Sequence, residues 1–130
     1  MKTRILMMLS AAFMAALGVA ITFLPQELLV HVGARPEGVL VLLIQLLGAL
    51  LVSFAMLNWM ARGNLIGGID SRPVAVANFF HFAIGAVALL KALPAQRIAL
   101  EVVAVAAIYS AFAIWFGIVL FTHPIKVERT

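Results

Sequence analysis

Residues 39–60 read VLVLLIQLLGALLVSFAMLNWM, an unbroken run with no charged side chain and only Gln45, Ser53 and Asn58 as clearly polar interruptions. About 20 apolar residues in a helix cross the roughly 30 Å hydrocarbon core of a bilayer, so the stretch reads as a transmembrane helix. Trp59 closes it at headgroup depth, where aromatic rings are favoured.

The rest of the chain repeats the pattern. Three more apolar runs cover about Ile5–Leu24, Val74–Leu93 and Ile98–Phe121, which with Val39–Met60 make four spans. Composition agrees: of 130 residues, 65% are apolar and 11% charged, with a mean hydropathy of +1.18. An average soluble domain is about 45–50% apolar and about 25% charged, so this chain has too few polar residues to coat a water-soluble globule. The connections are short, so sequential helices are expected to pack as antiparallel neighbours. The expectation is therefore an all-α, four-transmembrane-helix antiparallel bundle forming a single membrane domain over residues 1–130.

The punctuation between the runs fits. Lys2 and Arg4 followed by an apolar stretch and Gly18-Val19-Ala20 also resemble a signal peptide. The apolar run exceeds the usual signal core of about 7–15 residues, however, so we read it as a retained helix. Pro25 ends it. In the following segment, PQELLVHVGARPEG (25–38), Leu28, Leu29, Val30 and Val32 can let a short piece lie at the membrane interface. The loop ARGNLIGGIDSRP (61–73) offers Asp70 or Ser71 as a cap for the third helix, with Pro73 suited to its first turn.

Lys and Arg set the orientation. Lys2, Arg4, Arg62, Arg72, Lys126 and Arg129 fall on one side of the membrane, and Arg35, Lys91 and Arg97 on the other. This excess places both termini in the cytoplasm. Because the basic residues sit at helix ends, the net charge of +4 is explained by topology and not by nucleic acid. The chain has no cysteine, which excludes disulfide, thiolate-metal and thiol-exchange chemistry.

An amide or ionisable side chain in hydrocarbon is costly and needs a partner or a purpose. On the cytoplasmic side lie Asn58, Asn78 and His81, flanked by Arg62 and Arg72. Asn78, His81 and Gly85 share one helical face and can contribute to a ligand pocket between helices; the alternative is hydrogen bonding across a packed helix pair. On the outer side lie Gln45, Lys91 and Glu101. Lys91 can snorkel to the interface, and Glu101 is favoured by the helix dipole at the start of the fourth span. The two can also pair across the turn, or Glu101 and Gln45 can border an outward-facing cavity. A haem bound through His81 would need a second histidine at matching depth, and neither His31 nor His123 supplies one, so no metal or cofactor is expected. Ala12, Ala16 and Ala20, Ala107 with Ala111, and Ala113 with Gly117 follow the small-xxx-small spacing that permits close helix contact.

Three stretches resemble the DoxX-like group of small four-helix membrane proteins: Phe23-Leu24-Pro25-Gln26-Glu27-Leu28-Leu29, Leu46-Leu47-Gly48-Ala49-Leu50-Leu51 leading to Asn58-Trp59-Met60-Ala61-Arg62-Gly63, and Arg72-Pro73. That resemblance implies a fold more than an activity, because members of the group range from respiratory-chain accessory subunits to assembly factors, and no catalytic residue carries over. Small multidrug transporters keep a membrane-embedded glutamate in their first helix, which this chain lacks. Membrane glutathione-dependent enzymes carry several Arg, Asn and Glu residues along their helices, whereas one glutamate lies in a span here.

With no acid–base pair, nucleophile constellation or metal cluster in the sequence, the leading expectation is a non-enzymatic protein of a bacterial inner membrane. It would serve as an accessory subunit or bind a hydrophobic ligand such as a lipid or a quinone, with a homo-oligomer or another membrane protein as partner. The alternatives are a small oligomeric transporter or channel using Glu101, Gln45 or His81, and a quinone-linked redox enzyme built on His81.

Overall fold

The computed structural model describes residues 2–64, 71–95 and 100–122. Described residues form α1 (Lys2–Phe23), α2 (Pro25–His31), α3 (Gly38–Ala61), α4 (Arg72–Ala92) and α5 (Leu100–Thr122), with a 3-10 turn at Leu93–Ala95 after α4. The fold is all-α. Helices α1, α3, α4 and α5 are each long and apolar enough to cross a membrane, so the chain is a multi-pass membrane protein. Their limits lie within three residues of the expected ones wherever both ends are described, because hydropathy sets span length directly. Asp70, Arg97, His123, Lys126, Arg129 and the expected start of the last span at Ile98 lie outside the described residues.

The chain divides into two compact units, one of Met7–Met60 and the other of Met1–Leu6 with Ala61–Thr130. In the first, α1 and α3 run antiparallel: Ser10 and Met14 meet Asn58, while Gly18 and Thr22 meet Gly48. Leu51, Ala55 and Asn58 are buried along one face of α3, and Met7, Ser10, Ala11, Met14 and Gly18 along one face of α1. Spacings of three and four residues put each set on a single stripe.

Between them the chain turns through α2. Leu24 leaves the helical region (φ −123°, ψ 43°) and Pro25 takes the first position of α2, where its missing N–H costs nothing. At the other end Gly33 adopts φ +79°. The Gly33 amide donates to Val30 O at 3.0 Å and the Ala34 amide to Leu29 O at 2.8 Å. This pair of bonds closes the helix on a left-handed glycine. Leu29 is buried while Val30 and Val32 are exposed, so the short apolar piece expected after Pro25 is a two-turn helix.

In the second unit α4 and α5 are an antiparallel pair. Phe79 meets Gly117 and Phe121, Phe82 meets Phe116 and Phe112, and His81 and Gly85 meet Tyr109. Ala75, Asn78, Phe82 and Ala86 are the buried stripe of α4. Ala106, Tyr109, Phe112, Phe116, Gly117 and Val119 are that of α5. Ser71 occupies the position before α4 as expected, but its side chain makes no capping bond; Pro73 stands in the first turn. Its φ and ψ of −111° and 4° are away from the extended conformation from which an N-cap hydroxyl reaches back to the helix.

The helix contacts depend on residues other than most of the expected alanines. Ala12, Ala16, Ala107 and Ala111 are exposed, and Ala20 and Ala113 half-buried. Close approach occurs at Gly18, Gly48 and Gly85, and at Gly117 as expected. A methyl group on Gly18 would stand 2.9 Å from both Gly48 O and Val52 N, so α1 and α3 touch backbone to backbone.

Candidate functional site

The four long helices are apolar nearly all the way round, so the polar side chains inside the spans are the natural places to look for chemistry. Asn58 is fully buried. Its Nδ2 donates to Ser10 Oγ at 3.0 Å, and the Ser10 hydroxyl donates in turn to Met7 O at 3.1 Å. The Asn58 amide also lies 3.8 Å from Met14 Sδ. The relay carries the amide of α3 onto the backbone of α1. It satisfies polar groups that hydrocarbon cannot, at about 0.6–2 kcal/mol per interhelical bond.

Asn78 and His81 belong to the other unit. Asn78 is fully buried, and its Nδ2 donates to Val74 O, one turn earlier in α4, at 2.9 Å. His81 is half-buried. Its Nε2 lies 3.2 Å from the Tyr109 hydroxyl, each able to donate to the other according to the imidazole tautomer. Gly85 makes this contact possible, since a Cβ there would sit 2.5 Å from the Tyr109 ring. Around the pair is an aromatic cluster: Phe82 packs against His81 at 5.2 Å, Tyr109 at 5.1 Å, Phe112 at 4.8 Å and Phe116 at 5.8 Å between ring centroids. His81 thus meets a neutral hydroxyl and aromatic rings.

The remaining sequence-selected residues lie toward the helix ends or on outer faces. Arg62 is half-buried just beyond α3, and Arg72 is exposed at the first position of α4. Gln45 is exposed in the first half of α3. Lys91 is exposed in the last turn of α4, and Glu101 is exposed in the first turn of α5, where the dipole favours it. No ion pair joins Lys91 to Glu101 among the described residues.

Two residues that sequence reasoning did not single out complete these contacts, Ser10 and Tyr109. A signal for both existed. His81 and Tyr109 lie fourteen residues either side of Ala95, and Ser10 and Asn58 twenty-four either side of Ala34. In an antiparallel pair with a tight connection, such residues share a depth.

The described side chains also form an outward-facing feature on α4. Phe79, Phe80, Ala83, Ile84, Val87, Ala88 and Lys91 border an open groove of about 450 Å³. Its walls are hydrocarbon, and its one charged group is the lysine at the helix end. A second open hollow, of about 470 Å³, lies beside α2 between Gln26, Glu27, Val30, His31 and Pro36. Among the described residues, no three of His, Cys, Asp and Glu come together as a metal site. No family model, curated protein or solved structure matches the chain.

Proposed function

We propose that this chain is a non-enzymatic multi-pass protein of a bacterial inner membrane that binds an amphipathic lipid in the plane of the bilayer. The observation that carries the reading is the α4 groove, with its hydrocarbon walls and Lys91 at one end. From Phe79 to Lys91 the helix rises about 18 Å at 1.5 Å per residue. That is a little over half the roughly 30 Å hydrocarbon core, the depth of one leaflet. An acyl chain would lie along Phe80, Ala83, Ile84 and Val87, with the ammonium of Lys91 drawing an anionic headgroup at the interface.

The engagement of the intramembrane polar groups supports the same reading. Asn58 and His81 bond to Ser10 and Tyr109, as helix-joining residues do. The distribution of Lys and Arg supports termini on the cytoplasmic side, and the likeness to the DoxX-like group fits a protein without catalytic residues of its own.

The test is lipid retention. Protein purified in mild detergent and exchanged into mixed phosphatidylglycerol and phosphatidylcholine is examined by native mass spectrometry. Wild-type protein is expected to retain phosphatidylglycerol preferentially. Lys91→Gln should remove the preference, and Ala83→Phe, which fills the groove, should lower retention of both lipids. Equal retention of the two lipids by the wild type and by both variants would exclude the proposal.

A further inference from the structure

Gln45 stands apart from the other amides within the spans. It is exposed, is the eighth residue of α3, and its side chain has no hydrogen-bond partner among the described residues. At 1.5 Å per residue it lies about 10 Å along the helix from Gly38. Helix α3 is about 36 Å long, so centring it in a core of roughly 30 Å puts Gln45 about 7 Å below the hydrocarbon boundary. The amide is shorter than a lysine side chain and cannot escape the hydrocarbon from that depth as lysine does. An unpaired amide in lipid is costly. Its neighbour on this side, Leu42, is exposed hydrocarbon, and α3 is the least buried of the four spans.

We propose that Gln45 pairs with Gln45 of a second copy of this chain, making the exposed face of α3 a homodimer interface. The choice of occupant follows from symmetry and from the chemistry of the amide. Two copies inserted in the same direction are related by an axis along the membrane normal, so each residue faces its own counterpart at equal depth. A carboxamide is both donor and acceptor. Two of them across such an axis satisfy each other with two reciprocal bonds, whereas a different protein would have to supply a matching polar group at that depth. Ala49, one turn along and exposed, leaves room for the second helix to approach. Ser53, a further turn on, is exposed with its hydroxyl already donating to Ala49 O at 2.9 Å, so it adds no unpaired donor to the contact. The proposal rests on α3 alone and does not depend on the lipid reading of α4.

The test uses the full chain in phosphatidylcholine–phosphatidylglycerol vesicles, with dimer formation followed by energy transfer between labelled copies over a dilution series. Wild type is expected to dimerise reversibly. Gln45→Leu, a lipid-compatible change at an exposed site, should weaken dimerisation about 3–30-fold for each interhelical hydrogen bond lost, at about 0.6–2 kcal/mol apiece. Gln45→Asn should retain most of the affinity. Since the chain has no cysteine, Ala49→Cys should form an intermolecular disulfide on oxidation, while Leu43→Cys, on a different side of α3, should not. Helix content unchanged in Gln45→Leu separates loss of the interface from loss of the fold. A wild type that stays monomeric at high protein-to-lipid ratio overturns the proposal. So does a Gln45→Leu variant that dimerises as well as wild type.

Discussion

Asn58 shows how a single amide can be both unfavourable and indispensable in this chain. Buried without a partner it would cost more than it contributes, yet through Ser10 it joins α3 to the backbone of α1. Replacing Asn58 by Ala should lower stability by about 0.6–2 kcal/mol, and replacing Ser10 by Ala should cost at least as much, since it removes the same bond and takes the acceptor from an amide that stays buried. The decisive quantity is their coupling. In a double-mutant cycle, read by reversible unfolding in mixed micelles, the Asn58→Ala effect should shrink on a Ser10→Ala background by about 0.5 kcal/mol or more. Strict additivity would mean that the bond contributes nothing.

At the scale of elements, the contacts are made by glycine. Gly48 lies against the Thr22 hydroxyl and, at the distance of a Cβ, 2.9 Å from Gly18 O and Thr22 N. Backbone cannot move aside as a side chain can, so Gly48→Ala must push α1 and α3 apart. Overpacking of this kind costs about 1–3 kcal/mol. Gly63→Ala, where a Cβ meets nothing within 4 Å, serves as its control and should be near neutral. On the other pair, Gly85→Ala would drive the Tyr109 ring off His81. Because the obstacle is a side chain, Tyr109→Leu should recover part of the lost stability. A Gly85→Ala variant that melts with wild type would show that the ring has free room, contrary to its packing against Phe82.

These elements also mark how far the sequence could be read. The four spans were visible because hydropathy acts on length and composition alone, as in residues 39–60. Their pairing faces were not, because lipid and protein interior are equally apolar and leave no amphipathic signature on the helices. Ala12 and Ala16 therefore look as suitable for contact as Gly18 in the sequence, and only the structure separates the exposed pair from the buried glycine. Among the polar residues, type and depth could be read, so Asn58, Asn78 and His81 stood out at once. Their partners were harder to read, since Ser and Tyr are common in spans and Ser10 and Tyr109 stand out only through their spacing about the turns near Ala34 and Ala95.

For the molecule as a whole, the proposed orientation yields a labelling experiment that the native composition makes simple. The chain lacks cysteine, so each introduced thiol is unique. With cytoplasmic termini, Arg35→Cys should react with a membrane-impermeant maleimide added outside intact spheroplasts. Gly63→Cys should react only after permeabilisation. Both positions are exposed, so accessibility within the protein does not limit either reaction. The reverse pattern would invert the topology.

The division of the chain into two compact units has one further consequence. Trp59 belongs to one of them, whereas Trp115 and the chain's single tyrosine, Tyr109, belong to the other. The protein therefore carries its own optical labels, one indole for each helix pair. Substituting either tryptophan by phenylalanine leaves an emission signal from the remaining unit alone, and the near-ultraviolet signature of the hydrogen-bonded phenol belongs to the unit holding α4 and α5. Whether the two helix pairs melt together or in succession is thus written into the fluorescence of the unlabelled chain.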